Sequence, residues 1–263
     1  MVTNLQIFSY LCDKNQKKML SKNQIKWVHS LELKKNRNKE GLFVAEGPKV
    51  VGDLLRAGYV ARSIFSTTER PDAQLVTDDE LRKLSFLQHP QEVLAVFDIP
   101  ATAHLLPLTP NPEPLSSQLS LALDGVQDPG NLGTIIRIAD WFGIKIIFCS
   151  EDTADCYNPK VVQASMGSHA HVHIIYIDLE AFLQSVDCPI YGTLLDGQNI
   201  YQQQLSTGGI IVMGNEGNGI SPAIRQLVTH KLLIPNYNTS GETAESLNVA
   251  IATAITCAEF RRR

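Results

Sequence analysis

"LSLALDGVQDPGNLGTIIRIADWFG", residues 119–143, joins an apolar run of strand length, a polar loop and a segment whose apolar residues return with helical spacing. Leu132, Ile135, Ile136, Ala139 and Phe142 fall on one stripe, which predicts an amphipathic helix resting on a sheet. The same unit recurs downstream. "KIIFC", "VHIIYI", "PIYGTLL", "GGIIVMG" and "HKLLIP" are further strand-length apolar runs, and "NPKVVQASMGS", "LEAFLQSV" and "SPAIRQLV" are helical segments among them. Apolar strands alternating with helices predict an α/β fold, a parallel sheet covered on both faces. The closing segment, "SLNVAIATAITCAEFRRR", is helical in length and apolar nearly all round from Ala250 to Ala258. A helix without a polar face is buried on more than one side, so it packs on its own sheet and also on something else, for which a second copy of the chain is the simplest candidate.

Upstream, residues 100–118 ("PATAHLLPLTPNPEPLSSQ") carry five prolines and a single charge, Glu113, and read as a linker. Ahead of it lie shorter elements. "NQIKWVHSLELKK" has apolar residues at Ile25, Val28 and Leu31–Leu33 and predicts one amphipathic helix. "GLFVAEG" reads as a strand, and "PKVVGDLLRAG" as a helix with Pro in its first turn and Gly at its end. Met19 begins a stretch that reads like a natural start, so residues 1–18 read as a disordered or mis-assigned extension. The expected division is 1–18 extension, 19–100 first domain, 101–118 linker and 119–263 second domain.

The net charge of −4 hides an asymmetry. Residues 1–40 hold nine of the 23 Lys/Arg against three of the 27 Asp/Glu. A basic arm on an acidic body suits a polyanion, and Lys22, Lys26, Lys34, Lys35, Arg37 and Lys39 are the candidate phosphate contacts, although a solvated helix face has the same composition. No apolar stretch approaches the roughly 20 residues of a membrane span, and the N-terminus has no apolar signal core. Five scattered cysteines with no CxxC pair argue for a reducing compartment, by default the cytoplasm, and against structural zinc.

Three loops carry the candidate chemistry. The first, after Asp124, lacks the glycines that Rossmann-type methyltransferases place two, four and six residues beyond the acid, since Val126, Asp128 and Gly130 stand there. GxGxxG is absent as well, which weighs against a dinucleotide oxidoreductase. Asn131 stands where a helix cap would, and Arg137 lies off the apolar stripe, facing solvent or a cleft. The second loop, "GNEGNGIS" (214–221), is glycine-rich but has Ile220 where a phosphate loop needs Lys. The third, "LLIPNYNTSGETAESLN" (232–248), leads into the last helix, at whose start Ser246 and Asn248 stand; capping is the plain alternative for Ser246. "SHAHVHI" spaces His169, His171 and His173 by two, which fits one strand face, and no metal is expected there.

Taken together, "NLGTIIR", "VMGNEGNGIS" and "LLIP" followed by "ESLNVAIA" resemble the signature of the SpoU (TrmH-type) RNA 2′-O-ribose methyltransferases of the SPOUT group, over about 145 C-terminal residues. "KEGLFVAEGPKVVGDLL" resembles the small substrate-binding domain found ahead of many members, an α/β fold like that of ribosomal RNA-binding proteins. The resemblance implies a parallel sheet with a deep trefoil knot, a homodimer formed through the C-terminal domain, and S-adenosylmethionine held mostly by backbone. By position, cofactor contacts fall on Gly214, Gly217, Gly219, Ile234, Pro235 and Leu247, with Leu195 in the nearby "GTLLDG" stretch. The glycines would let main chain close on an adenosine that has no phosphate to neutralise. Arg137 is implied to activate the ribose 2′-hydroxyl; as a poor base, it is better read as stabilising the developing alkoxide. Asn131, Glu216, Ser246 and Asn248 would position ribose and arginine. The sequence departs from the compact motif in its longer "NYNTSGETAE" gap and in Ala250, which replaces a common Ser. The implied activity is 2′-O-methylation of a ribose in rRNA or tRNA. A noncatalytic RNA-binding or assembly factor on the same fold is the alternative, against which the intact Asn131, Arg137, Glu216 and Asn248 count.

Overall fold

A computed structural model of the chain describes residues 20–100, 114–238 and 246–262. The 1–18 extension, most of the linker and part of the "NYNTSGETAE" stretch lie outside the described residues. Ser21 and Gln24 cap each other's backbone and open α1 (Lys22–Ser30). The single helix expected here is two. The Arg37 guanidinium, on α2 (Lys34–Glu40), donates to the carbonyls of Leu31 and Glu32, which satisfies the end of α1 and turns the chain. β1 (Leu42–Glu46), α3 (Pro48–Arg56), β2 (Ala61–Ser66), β3 (Gln74–Leu75), α4 (Asp78–Leu84) and β4 (Val93–Asp98) follow. Their sheet has the order β1-β4-β2-β3, with β4 antiparallel to both neighbours. Val44, Leu94 and Val96 face Val28 and Leu31 before α2 and Leu81 and Leu84 of α4. Phe43, Ala45, Ala95 and Phe97 point the other way and share a core with the second half of the chain.

That half is β5 (Leu119–Asp124), α5 (Pro129–Trp141), β6 (Ile146–Cys149), α6 (Pro159–Ser165), β7 (His173–Tyr176), α7 (Leu179–Ser185), β8 (Ile190–Asn199), β9 (Gly209–Gly214), α8 (Pro222–Leu227), β10 (His230–Leu233) and α9 (Val249–Arg261). Each apolar run read from the sequence is a strand. They form one parallel six-stranded sheet, ordered β10-β8-β9-β5-β6-β7. Alternate residues supply its two faces: Leu121, Leu123, Ile147 and Met213 pack with residues of α5, α6 and α9, while Ala122, Phe148 and Val212 pack with α7 and α8. Gly133 lets α5 and α6 close on each other, since a Cβ there would stand 2.5 Å from the Ala164 Cβ and 2.7 Å from the Val161 carbonyl.

The chain leaves β5 toward β6 and β7 on one side, whereas β8, β9 and β10 lie on the other. The boundary between β5 and β9 is therefore the topological switch point, where open α/β sheets gather ligands outside the carboxyl ends of their strands. The histidine reading needs correction. Met166 (φ 53°) and Gly167 (φ 95°) take left-handed backbone, so Ser168–Ala170 is a tight helical turn and β7 starts only at His173. His169 is buried, His171 pairs with Asp140 at 3.2 Å, and the described residues hold no group of metal-ligating side chains.

Candidate active site

At the switch point the loops after β5 and β9 are tied together. Asn215 Nδ2 donates to the Gly125 carbonyl at 2.7 Å, and its Oδ1 accepts from the main-chain N–H groups of Gly217 (2.8 Å) and Asn218 (3.1 Å). The Asp124 carboxylate, at the end of β5, accepts from Ser221 N at 2.6 Å. Gly125 and Gly219 hold φ of 70° and 68°, values that favour glycine. Gly214 is small for a reason internal to the loop. A Cβ there would stand 2.2–2.5 Å from Gly219 and Ile220 backbone, so the glycine lets the loop close on itself before any ligand is considered.

Asn131 is not the cap of α5. Asp128 is: its carboxylate accepts from Asn131 N at 2.8 Å, with Pro129 at the first helical position. That N–H first, and the Lys160 ammonium 3.4 Å away second, hold the Asp128 carboxyl below its usual range. The sequence reading missed Asp128, although an acid before Pro at the head of an apolar-periodic run signals a helix start. Asn131, three residues in, has its side chain free for other work. Its Nδ2 donates to Glu216 Oε1 at 3.0 Å, and its Oδ1 accepts from Asn248 Nδ2 at 2.9 Å. Glu216 also accepts from the N–H groups of Gln127 and Asp128, both at 3.4 Å. Asn248 caps α9 through Ala250 N (3.0 Å) and Ile251 N (3.3 Å); Ser246 has no capping role. One hydrogen-bonded line, Glu216–Asn131–Asn248, thus joins all three loops.

Arg137 lies outside that line. It is exposed on α5, about 9 Å along the axis from Asn131 at 1.5 Å per residue, and has no hydrogen bond or ion pair with the described residues. Thr134, Arg137 and Trp141 make one exposed stripe, and Trp141 is 83% exposed. α5 and α9 run side by side in the same direction: Asn131 meets Asn248 at their heads, and Arg261 Nε donates to the Phe142 carbonyl at their feet (2.9 Å).

The positions expected to contact cofactor lie along the carboxyl edge of the sheet on the β9-β8-β10 side. Gly214 ends β9, and Ile234 and Pro235, both half-buried, follow β10. β10 pairs with Tyr191 and Gly192, then jumps to Gln198 and Asn199, so residues 193–197 bulge from β8 and Leu195 is 76% exposed. Leu247, before α9, is half exposed, and Gly217 and Gly219 are exposed. Ser246 is exposed and has no described partner.

Of the basic residues, Lys22, Lys26, Lys34, Lys35 and Lys39 are exposed. Arg37 is not. It is 1% exposed and donates through Nε (3.1 Å) and Nη2 (2.5 Å) to Asp155 in the second half of the chain, so it clamps the two halves and is withdrawn from the candidate phosphate contacts.

The SpoU rRNA Methylase family matches residues 118–258, and the MRM3-like substrate binding domain matches residues 22–95. The 23S rRNA (guanosine(2553)-2′-O)-methyltransferase RlmP of Bacillus subtilis is 30% identical over 249 residues, covering 89% of this chain and 95% of its own length. Among solved structures, a putative RNA methyltransferase of the TrmH family from Porphyromonas gingivalis is 42% identical, with a TM-score of 0.77, 93% of this chain covered and 99% of that one. An AdoMet-bound rRNA methyltransferase from Sinorhizobium meliloti is 28% identical, with a TM-score of 0.77 over 92% of this chain and 95% of its own.

Proposed function

The chain belongs to the SpoU rRNA methylase family, and from that premise we propose that it methylates a ribose 2′-hydroxyl of ribosomal RNA with S-adenosylmethionine. The observation that carries this reading is the meeting of three loops at the switch point through Glu216, Asn131 and Asn248. The residues at the neighbouring edge fit the donor. Leu195 and Leu247 expose apolar side chains suited to an adenine, the 215–219 turn offers main-chain groups, and the segment 214–221 has no Lys or Arg to repel a sulfonium. When bound, S-adenosylmethionine supplies an activated methyl group, and no metal is needed.

What the chain's own residues add is orientation and charge. Asn131, fixed between Glu216 and Asn248, holds the head of α5, and Glu216 presents its carboxylate to the sugar edge of the site. Arg137 stabilises the alkoxide that develops on the 2′-oxygen as the hydroxyl proton passes to water and the methyl transfers from the sulfonium, leaving a neutral thioether; a guanidinium does not give up its proton in proteins, so it acts by charge. Gly214, Gly217, Gly219, Ile234, Pro235, Leu195 and Leu247 line the donor site, and Ser246 faces the ribose. Residues 19–100 form the RNA-binding domain, with Lys22, Lys26, Lys34, Lys35 and Lys39 on phosphates, and residues 119–263 the transferase domain; the two family matches, 22–95 and 118–258, support the division.

The path after β10 supports a trefoil knot. β10 is the edge strand of the sheet, whereas Asn248, 15 residues beyond its end, lies beside Asn131 at the head of α5, an arrangement consistent with the knot that the family resemblance implies. A homodimer through the transferase domain is supported by Trp141 and by Ile251 on α9, which is 52% exposed although apolar. No helix among the described residues is long and apolar enough to cross a membrane, and the cytoplasm is the proposed site of action.

The experiment is transfer of labelled methyl from S-adenosylmethionine to ribosomal RNA from a strain lacking the gene, with the modified ribose mapped. Methylation of one 2′-oxygen is expected. A protein that binds RNA but neither binds nor uses S-adenosylmethionine would be the noncatalytic factor instead.

A further inference from the structure

A cavity of about 530 Å³ lies between the first sheet and the heads of α5 and α6, a volume in the range that holds a small organic ligand. Phe86, Leu87 and Val44 line it from the first domain, and Pro129 and Pro159 from the second. Its polar lining is mostly amide and carboxylate. Among the described residues Gln163 makes no side-chain hydrogen bond, and Asn158 uses its oxygen on Lys160 N (2.9 Å) and has no partner for its Nδ2; Glu32 is exposed at the rim. Lys160 also faces the cavity, but Asp128 stands 3.4 Å from its ammonium. Glu46, buried at the base, accepts from Phe86 N at 2.9 Å and from the Ser85 hydroxyl, and so fixes the turn that presents the Phe86 ring.

We propose that this interdomain cavity takes an unstacked base of the substrate RNA, next to the ribose that is methylated; the proposal rests on the function given above. The lining selects a base over the sugar-phosphate backbone. The Glu32 carboxylate at the rim repels phosphate and Asp128 partly neutralises the one ammonium, whereas a flat ring, proline faces and unspent amides suit the stacking and edge hydrogen bonds by which single-stranded bases are recognised. Position agrees with chemistry. Glu32 is two residues before the exposed Lys34 and Lys35, which would carry the flanking phosphates, and Pro129 is two residues before Asn131 in the transfer site. The lining is thus continuous in sequence with the exposed lysines on one side and with the transfer site on the other.

The test fills the cavity. Gln163→Trp is expected to weaken binding of ribosomal RNA from the deletion strain at least about tenfold, the lower range of what losing a stacked base costs. S-adenosylmethionine affinity should stay within about twofold, and the slope of log affinity against log salt should not change, because no phosphate contact is lost. Gln163→Ala should weaken RNA binding less and in the same direction; it decides the matter if the larger residue disturbs the fold. Wild-type RNA affinity and turnover in Gln163→Trp would overturn the cavity's role while leaving the methyltransferase reading intact. Absence of methyl transfer by the unaltered protein would overturn both.

Discussion

Asn131 Oδ1 accepts a 2.9 Å hydrogen bond from Asn248 Nδ2, joining the head of α5 to the head of α9 across 117 residues of chain. The orientation of both amides is dictated. Asn248 spends its oxygen on Ala250 N and Ile251 N, so only its nitrogen can reach Asn131, and Asn131 is left with its own nitrogen for Glu216. Asn248→Asp separates capping from bridging, since a carboxylate still caps α9 but cannot donate. The expected result is a stability change of less than about 1 kcal/mol with kcat lowered about tenfold or more. Urea unfolding and single-turnover transfer measure the two separately; equal kcat would show that the bridge is purely structural.

Arg137 offers the converse case, a side chain with exposure and no described partner. Arg137→Ala should leave folding within about 0.5 kcal/mol, as for surface substitutions generally. Transfer should fall about 100- to 1,000-fold, the usual cost of removing a group that stabilises a developing oxyanion. S-adenosylmethionine binding by calorimetry and mass by ultracentrifugation should not move. Activity near wild type would remove Arg137 from the chemistry.

Arg37 and its lysine neighbours should behave oppositely. Arg37 is buried and paired with Asp155, so Arg37→Ala leaves a carboxylate and two carbonyls without their donor and should cost about 3–5 kcal/mol in urea unfolding. Lys34→Ala or Lys35→Ala should cost almost nothing in stability but reduce the salt slope of RNA binding by about 1 each. A lysine variant with an unchanged slope does not touch phosphate.

The contrast shows what a one-dimensional pattern carries. Strands β5 to β10 were legible because each is an apolar run closed by Gly, Asp, Asn, Ser or Pro, and buried parallel strands need little else. The three loops were legible through their order and motifs, and the coordinates bring them to one edge. Burial of Arg37 was not legible, because its partner is 118 residues away and a run of basic residues does not say which one turns inward. The cap of α5 was read three residues late: Asn131 and Asp128 are both good caps, and Pro129 directly after Asp128 is the sequence signal that favours the earlier one, as the hydrogen bond to Asn131 N bears out. Period two in "SHAHVHI" misled because left-handed backbone at Met166 and Gly167 cancels the strand before the pattern begins.

His169 gives the fold an acid limit. Its ring is 2% exposed against Phe43 and Tyr157, its Nδ1 has no partner among the described residues, and burial lowers its pKa from 6.5 to about 4, against the opposing pull of Asp155. Below pH 6.5 the unfolded chain takes up a proton here that the folded chain refuses, so stability falls as pH drops and levels off only below about pH 4. Between pH 7 and 5 this one group should cost about 2 kcal/mol, calculated from the two pKa values. Because the ring sits where β1 meets the segment after α6, the loss falls on the contact between the two halves of the chain. His169→Phe keeps a ring in the same apolar site and removes the titration. Urea unfolding of both proteins at pH 7 and pH 5 should show a drop for wild type that is larger by that amount; parallel drops would mean that the imidazole stays neutral in both states or is hydrated in the fold.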